Sequence, residues 1–385
     1  MLVMVKMTLA MIAVLLSALA VPAAPQTNTY SVQTWWSAAK PEHYPKVNPD
    51  RSIVFQVKAP DASAVNLLFG EWNVKPQPLT KNDSGIWTLT IGPIEPGLYQ
   101  YHFTIDGAAV VDAGNPDVKV GQAIDASLVD VPGIVPRFDE IQNVPHGALH
   151  HLRYQSTVFG HARGLCVYVP PGYETGSKHY PALYLRHGGG DNENNWSREG
   201  RAGIILDNLI ARHAAAPMLI VMTDGNVDGD WASASRPDGI KLLDEDLIKD
   251  VMPLVEKDYR VIPKADKRAI AGLSMGGGQA FVIGLNHLET FSWVGEFSSG
   301  LLADVNFKLD ESVPAASNPA VINKRLHLLW LACGKDDPRY IGHQELVDKL
   351  KQKGINQEFH DCSGGHEWKV WRQQLNEFLQ RLFKT

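Results

Sequence analysis

Apolar and polar positions change their period partway along the chain. From about residue 150 onward, short apolar runs at 165–169, 182–186, 218–223, 269–272, 293–297 and 326–332 alternate with stretches of helical period at 203–214, 242–257 and 277–285. A helix-like segment at 344–353, a short strand at 357–361 and an amphipathic closing helix beyond the loop at 364–368 complete the series. Strands that alternate with helices in this way predict an α/β fold, a mostly parallel sheet with helices on both faces.

The preceding stretch, 31–131, has no helical period. Short alternating strands at 52–57, 64–69, 86–91 and 98–105 are separated by turns such as Asn82-Asp83-Ser84-Gly85 and Asp106-Gly107, a spacing that predicts a small all-β sandwich. The first 24 residues differ again: Lys6, an uncharged run from Met7 to Ala20, then Val21-Pro22-Ala23-Ala24. Those are the charged, apolar and small-residue parts of a secretory signal, and the apolar run is shorter than the ~20 residues that a spanning helix needs. The expected organisation is a signal over 1–24 cleaved after Ala23 or Ala24, a β-domain over 28–135 and an α/β domain over 140–385. The mature protein is expected to be secreted or periplasmic and free of the membrane.

A net charge of −6 with 20% charged residues supplies no basic footprint for nucleic acid. The three cysteines, at 166, 333 and 362, do not suggest a disulfide framework, and no pair has metal-ligand spacing. Asp224 to Gly229 fits the first half of a calcium loop, but Ser235 stands where a bidentate glutamate is required. His146, His150 and His151 lack the spacing of a helical metal site. No metal is expected.

The chemistry is carried by Gly272-Leu273-Ser274-Met275-Gly276, a G-x-S-x-G run directly behind an apolar strand. Small residues two before and two after the serine let the strand turn sharply into a helix and hold the hydroxyl out at the strand end. A serine hydroxyl needs an imidazole base oriented by a carboxylate, in the order Ser, Asp, His for hydrolases of this kind. The strand at 326–332 runs into Gly334-Lys335-Asp336-Asp337, and the glycine-flanked His366 follows. His187-Gly188-Gly189-Gly190 closes another strand, where backbone N–H groups can face a developing oxyanion; Gly189 and Met275 are the expected donors. This acyl-transfer chemistry needs no cofactor.

Val144-Pro145-His146-Gly147, the 154–170 run with Gly164, Val167-Tyr168-Val169-Pro170-Pro171-Gly172-Tyr173, the HGGG loop with Trp196, the serine elbow and Gly364-Gly365-His366-Glu367-Trp368 together resemble the carbohydrate esterase family one and esterase D group. That group includes feruloyl esterases, acetyl xylan esterases, siderophore esterases and mycolyltransferases. The resemblance implies an α/β-hydrolase with Ser274 as nucleophile and His366 as base. It points to Asp337 as the acid, three residues after the glycine that ends the strand, with Asp336 as the alternative. Arg186 departs from the aliphatic residue usual there, and either brings a charge near the site or caps the strand. His187, Trp196 and Trp231 are the candidate substrate contacts, with a packing role as the alternative for the two tryptophans. The β-domain is similar to the early-set glycogen-binding modules of family forty-eight, through Ala59-Pro60-Asp61-Ala62, Gly85-Ile86-Trp87 and Pro96-Gly97-Leu98-Tyr99-Gln100-Tyr101. Trp72 and Trp87 are its candidates for stacking on sugar, Trp87 and Tyr101 being read rather as core. The implied activity is removal of feruloyl or acetyl groups from xylan fragments, with siderophore ester hydrolysis and sugar acyl transfer as alternatives.

Overall fold

Residues 43–71 and 74–384 are described by the computed structural model. The signal segment and the Trp72 ring lie outside them. From His43 onward the chain folds as one compact unit.

Its first part is the expected sandwich. One antiparallel sheet joins Lys46–Val47, Ile53–Lys58, Ile86–Ile91 and Thr80–Lys81; the other joins Gln77–Pro78, Val65–Phe69, Gly97–Ile105 and Ala108–Val110. Ser127–Val131 pairs with the first half of Gly97–Ile105, from Gly97 opposite Val131 to Tyr101 opposite Ser127. Alternate residues of both sheets, among them Ile53, Phe55, Val65, Leu67, Tyr101 and Phe103, meet in a common core. Trp87 belongs to that core and donates its indole N–H to the Ala59 carbonyl at 2.8 Å, so its ring is not offered to sugar. Tyr101 is also buried, its hydroxyl donating to Asp112 at 2.8 Å.

The second part is built on a sheet of eight strands among the described residues: β1 Ala148–Gln155, β2 Ala162–Val169, β3 Ala182–Arg186, β4 Leu219–Thr223, β5 Arg268–Leu273, β6 Trp293–Phe297, β7 Leu328–Gly334 and β8 Glu358–Cys362. Their order is β1-β2-β4-β3-β5-β6-β7-β8. The pairings of β2 with β1 and β4 are antiparallel and the rest parallel, which is the α/β-hydrolase arrangement. Helices α1 Ala202–Ala211, α2 Pro237–Asp246, α3 Ser274–Asn286, α4 Tyr340–Gln352 and α5 Trp368–Leu379 cover the two faces. The alternation of β5 assigns the layers: Ile270 packs with Phe281, Ile283 and Leu350 on one side, whereas Ala269 and Ala271 pack with Leu206, Leu375 and Phe378 on the other. With both faces covered, β3 to β7 are mostly apolar and buried, as parallel strands usually are, the buried Arg186 of β3 and Glu296 of β6 being exceptions. β1 is an edge strand with a half-polar pattern, and its His150 pairs with Tyr259 and Glu174 at 3.0 and 2.9 Å.

Candidate active site

β5 passes into α3 at Ser274, whose φ of 50° is the left-handed conformation that side chains other than glycine rarely adopt. Such a residue persists only where its surroundings over-determine it, and the neighbouring glycines show how. A Cβ on Gly272 would lie 2.4 Å from the Gly276 carbonyl, and one on Gly276 would lie 2.3 Å from the His187 carbonyl. Strand, helix and the β3 loop therefore meet at backbone distance, with the serine hydroxyl at the sheet's carboxyl edge.

His366, in the loop between β8 and α5, brings Nε2 to 3.0 Å from Ser274 Oγ. Its Nδ1 is 2.7 Å from Asp337 Oδ2, at the end of β7. The Trp371 ring stands edge-on to the imidazole at 4.8 Å between centroids and limits its rotation. Asp337 is buried and also accepts from the Arg339 backbone N–H at 2.9 Å and its guanidinium at 3.3 Å. Burial opposes ionisation of Asp337, but the hydrogen bond and charge of His366, with the Arg339 contacts, prevail and hold the carboxyl below the usual carboxylate range. Asp336 faces elsewhere: its Oδ2 accepts from the Gly364 N–H at 3.1 Å, bracing the histidine loop. The structure thus brings Asp337, not Asp336, against His366.

Met275 lies in the first turn of α3, where a backbone N–H has no partner inside the helix. Gly189 sits across from it in the β3 loop, and both residues border a cavity of about 600 Å³ that reaches Ser274 and His366. Trp231 forms a wall of this cavity together with Leu301 and is 52% exposed; its ring comes within 3.1 Å of where a Gly189 Cβ would be. A second cavity of about 470 Å³ also borders Gly189, Ser274 and His366, and is lined further by Gln100, His102 and Lys119 of the sandwich.

Two of the expected substrate contacts are corrected. His187 is 1% exposed; its Nε2 accepts from the Gly225 N–H at 2.7 Å and its Nδ1 is 2.8 Å from the Gly188 carbonyl. That ring holds two loops together and presents no free nitrogen to a substrate. Trp196 is fully buried, donates to the Arg186 carbonyl at 2.9 Å and packs edge-on against Trp368. It belongs to the core under α5. Arg186 is buried too, donating Nε to Gln279 Oε1 at 2.7 Å, and burial pushes its guanidinium down to about 10. Its charge is spent inside the protein, and Gln279 passes the tie on to the Gly225 and Ala234 carbonyls at 3.0 and 3.1 Å.

The three cysteines are free. Among the described residues no group of three or more His, Cys, Asp or Glu is arranged to hold a metal ion, the Asp224 loop included. Sequence reasoning missed Arg339, the sandwich residues along the second cavity, and Glu71, which reaches the Trp368 backbone N–H at 2.9 Å. An arginine two residues after the acid was a usable local signal. The sandwich residues had none.

Comparison with known proteins adds to this geometry. Residues 156–382 match the model of a family described as putative esterase, and residues 43–120 match that of carbohydrate-binding module 48, the isoamylase N-terminal domain. An endo-1,4-beta-xylanase/feruloyl esterase of Xylanibacter ruminicola is 32% identical over 353 residues, covering 89% of this chain and 46% of that protein, so the chain spans about half the relative's length. The structure of a ferulic acid esterase superposes with a TM-score of 0.53 at 26% identity, covering 63% of this chain and 100% of that one. An enterobactin esterase from Shigella flexneri superposes over 91% of this chain and 98% of its own, with a TM-score of 0.66 at 18% identity, a likeness of fold.

Proposed function

The chain belongs to the putative esterase family, and from that premise we propose that it is an exported serine carboxylic-ester hydrolase that releases feruloyl or acetyl groups from xylan fragments. The observation that carries the reading is the unbroken hydrogen-bonded series from Ser274 through His366 to Asp337 at the edge of the sheet.

In this reading His366 Nε2 takes the Ser274 proton as Oγ attacks the ester carbonyl. Asp337 holds the ring through Nδ1 and balances the charge of the imidazolium. The N–H groups of Gly189 and Met275 donate to the oxyanion of the tetrahedral intermediate, each worth about 2.7–4 kcal/mol in the transition state. His366 then gives its proton to the leaving alcohol oxygen, leaving an acyl-serine. Water repeats the sequence, with His366 as base, and releases the acid.

Three supports favour an acylated carbohydrate as substrate: the printed activities of the Xylanibacter ruminicola relative, the ferulic acid esterase likeness, and a sandwich that matches a carbohydrate-binding module. Export rests on the charged, apolar and small-residue pattern of the first 24 residues. A siderophore esterase is the second reading, favoured by the enterobactin esterase fold extending over both parts of the chain. Parallel assays of acid release from methyl ferulate, acetylated xylan and a ferric enterobactin-type lactone separate the two. Turnover of a plant ester is expected; turnover of the lactone alone would replace this substrate assignment.

A further inference from the structure

The oxyanion loop is made of three consecutive glycines, 188–190, and such a run has too much backbone freedom to fix its own shape. Donors stabilise an oxyanion only when they are held in place before the reaction, so something outside the run must hold it. Part of that support is local. Asp191 donates its N–H to the Gly188 carbonyl at 3.3 Å, and its own carbonyl accepts from Asn226 Nδ2 at 2.9 Å.

The rest comes from the β-sandwich. Between its strands Ala108–Val110 and Ser127–Val131, the chain crosses to the catalytic part and lies along the loop. The Gln122 N–H donates to the Gly190 carbonyl at 2.9 Å, and its side-chain amide donates to the Gly229 carbonyl at 2.8 Å. The Gly121 carbonyl accepts from Asn192 Nδ2 at 3.0 Å, and Lys119 Nζ pairs with Asp191 Oδ1 at 3.2 Å. Asp191 is buried and the Lys119 side chain is nearly so, which makes this pair better ordered than a surface one. The approach is at backbone distance: a Cβ on Gly121 would stand 2.4 Å from the Gly190 carbonyl oxygen.

We infer that the 119–122 segment of the β-sandwich is a positioning element of the oxyanion hole, so that the sandwich takes part in the chemical step on any ester, with or without a sugar. The inference rests on the reading of Gly189 as an oxyanion donor. Gly121 and Gln122 touch no reacting atom; they act through Gly190, the residue next to the donor.

Two full-length variants test it. Gly121→Ala pushes a methyl group against the Gly190 carbonyl, and Lys119→Met removes the ion pair while keeping the aliphatic stem. With para-nitrophenyl acetate, which carries no sugar, Gly121→Ala is expected to lower kcat by about 10-fold to 100-fold, because displacements of about an ångström cost that much in a positioned site. KM should stay within about twofold. Affinity for phenylboronic acid, which forms a tetrahedral adduct on the serine, should fall in step with kcat/KM. Hydrogen exchange of the peptide covering 187–195 should quicken in both variants, a readout independent of turnover. Lys119→Met keeps the test open if Gly121→Ala does not fold. Unchanged exchange in both variants overturns the positioning role whatever the activity. Losses confined to polymeric substrates overturn it as well, since they would mean that the segment binds glycan only. Quickened exchange in a protein whose wild type hydrolyses no ester would overturn the esterase reading, and with it the catalytic part of this inference.

Discussion

The Trp368 backbone N–H donates to Glu71 Oε2 at 2.9 Å, so a carboxylate of the sandwich caps the helix that follows His366. No side chain of α5's own N-terminus does this, and the cap lies where an anion complements the helix dipole. Desolvation pushes the Glu71 carboxyl up to about 7, against the lowering effect of the Trp368 hydrogen bond and of Arg372; Glu367 adds to the rise and Lys119 opposes it.

A raised carboxyl value has a definite consequence for stability. Between the ordinary glutamate value of 4.5 and about 7, the folded protein holds a proton at Glu71 that the unfolded chain has released. Stability from this group is therefore present at low pH, declines as pH rises through that window and is level above it. Glu71→Gln, a neutral side chain that still accepts from Trp368, should make the decline shallower and leave the part due to Glu199, whose carboxyl is likewise pushed up by burial to about 7. Urea unfolding of both proteins at several pH values from about 5 to about 8 checks this; parallel curves would contradict it.

Asp337 and Asp336 are adjacent in sequence and opposed in role. Asp337→Asn leaves the shape of the site but spoils the partner of His366 Nδ1, and kcat should fall by about 10³–10⁴-fold. Asp336→Asn keeps an acceptor for the Gly364 N–H and should cost less than about tenfold. Steady-state kinetics of the two variants on one ester decide the matter; the reverse order of losses would move the acid to Asp336.

Trp231 and Trp196 should separate in the same manner. Trp231→Ala removes a half-exposed wall of the cavity beside Gly189 and should raise KM for methyl ferulate by about 5–10-fold, the worth of one aromatic contact. Trp196→Phe leaves the Arg186 carbonyl without its buried donor and should cost about 1–3 kcal/mol of stability with little change in KM. Urea unfolding together with KM for both variants distinguishes lining from packing.

These contrasts show which parts of the molecule could be read along the chain. β3, β5 and β6 were legible because both faces of a parallel strand are buried, which leaves mostly apolar runs, those of β3 and β5 ending in glycine-rich turns. Ser274 and the adjacent Asp336 and Asp337 were legible as well, since each follows such a run, whereas His366 follows the polar edge strand β8 and stood out through its flanking glycines and its place in the order along the chain. β1 was not predicted as a strand, because an edge strand keeps polar residues such as His151 and Arg153 and loses the apolar signal. His187 and Trp196 were misread because proximity to a motif in sequence says nothing about where a side chain points, and both turn inward. The contacts of Glu71 with Trp368 and of Gly121 with Gly190 join distant segments, and no local pattern announces them.

Acylation of Ser274 is checked by ester turnover of pure Ser274→Ala measured beside wild type. The variant is expected to fold with an unchanged unfolding transition and to lose kcat by on the order of 10⁴-fold or more on every ester that the wild type accepts. Turnover retained by the variant within about tenfold of wild type would contradict acylation at Ser274.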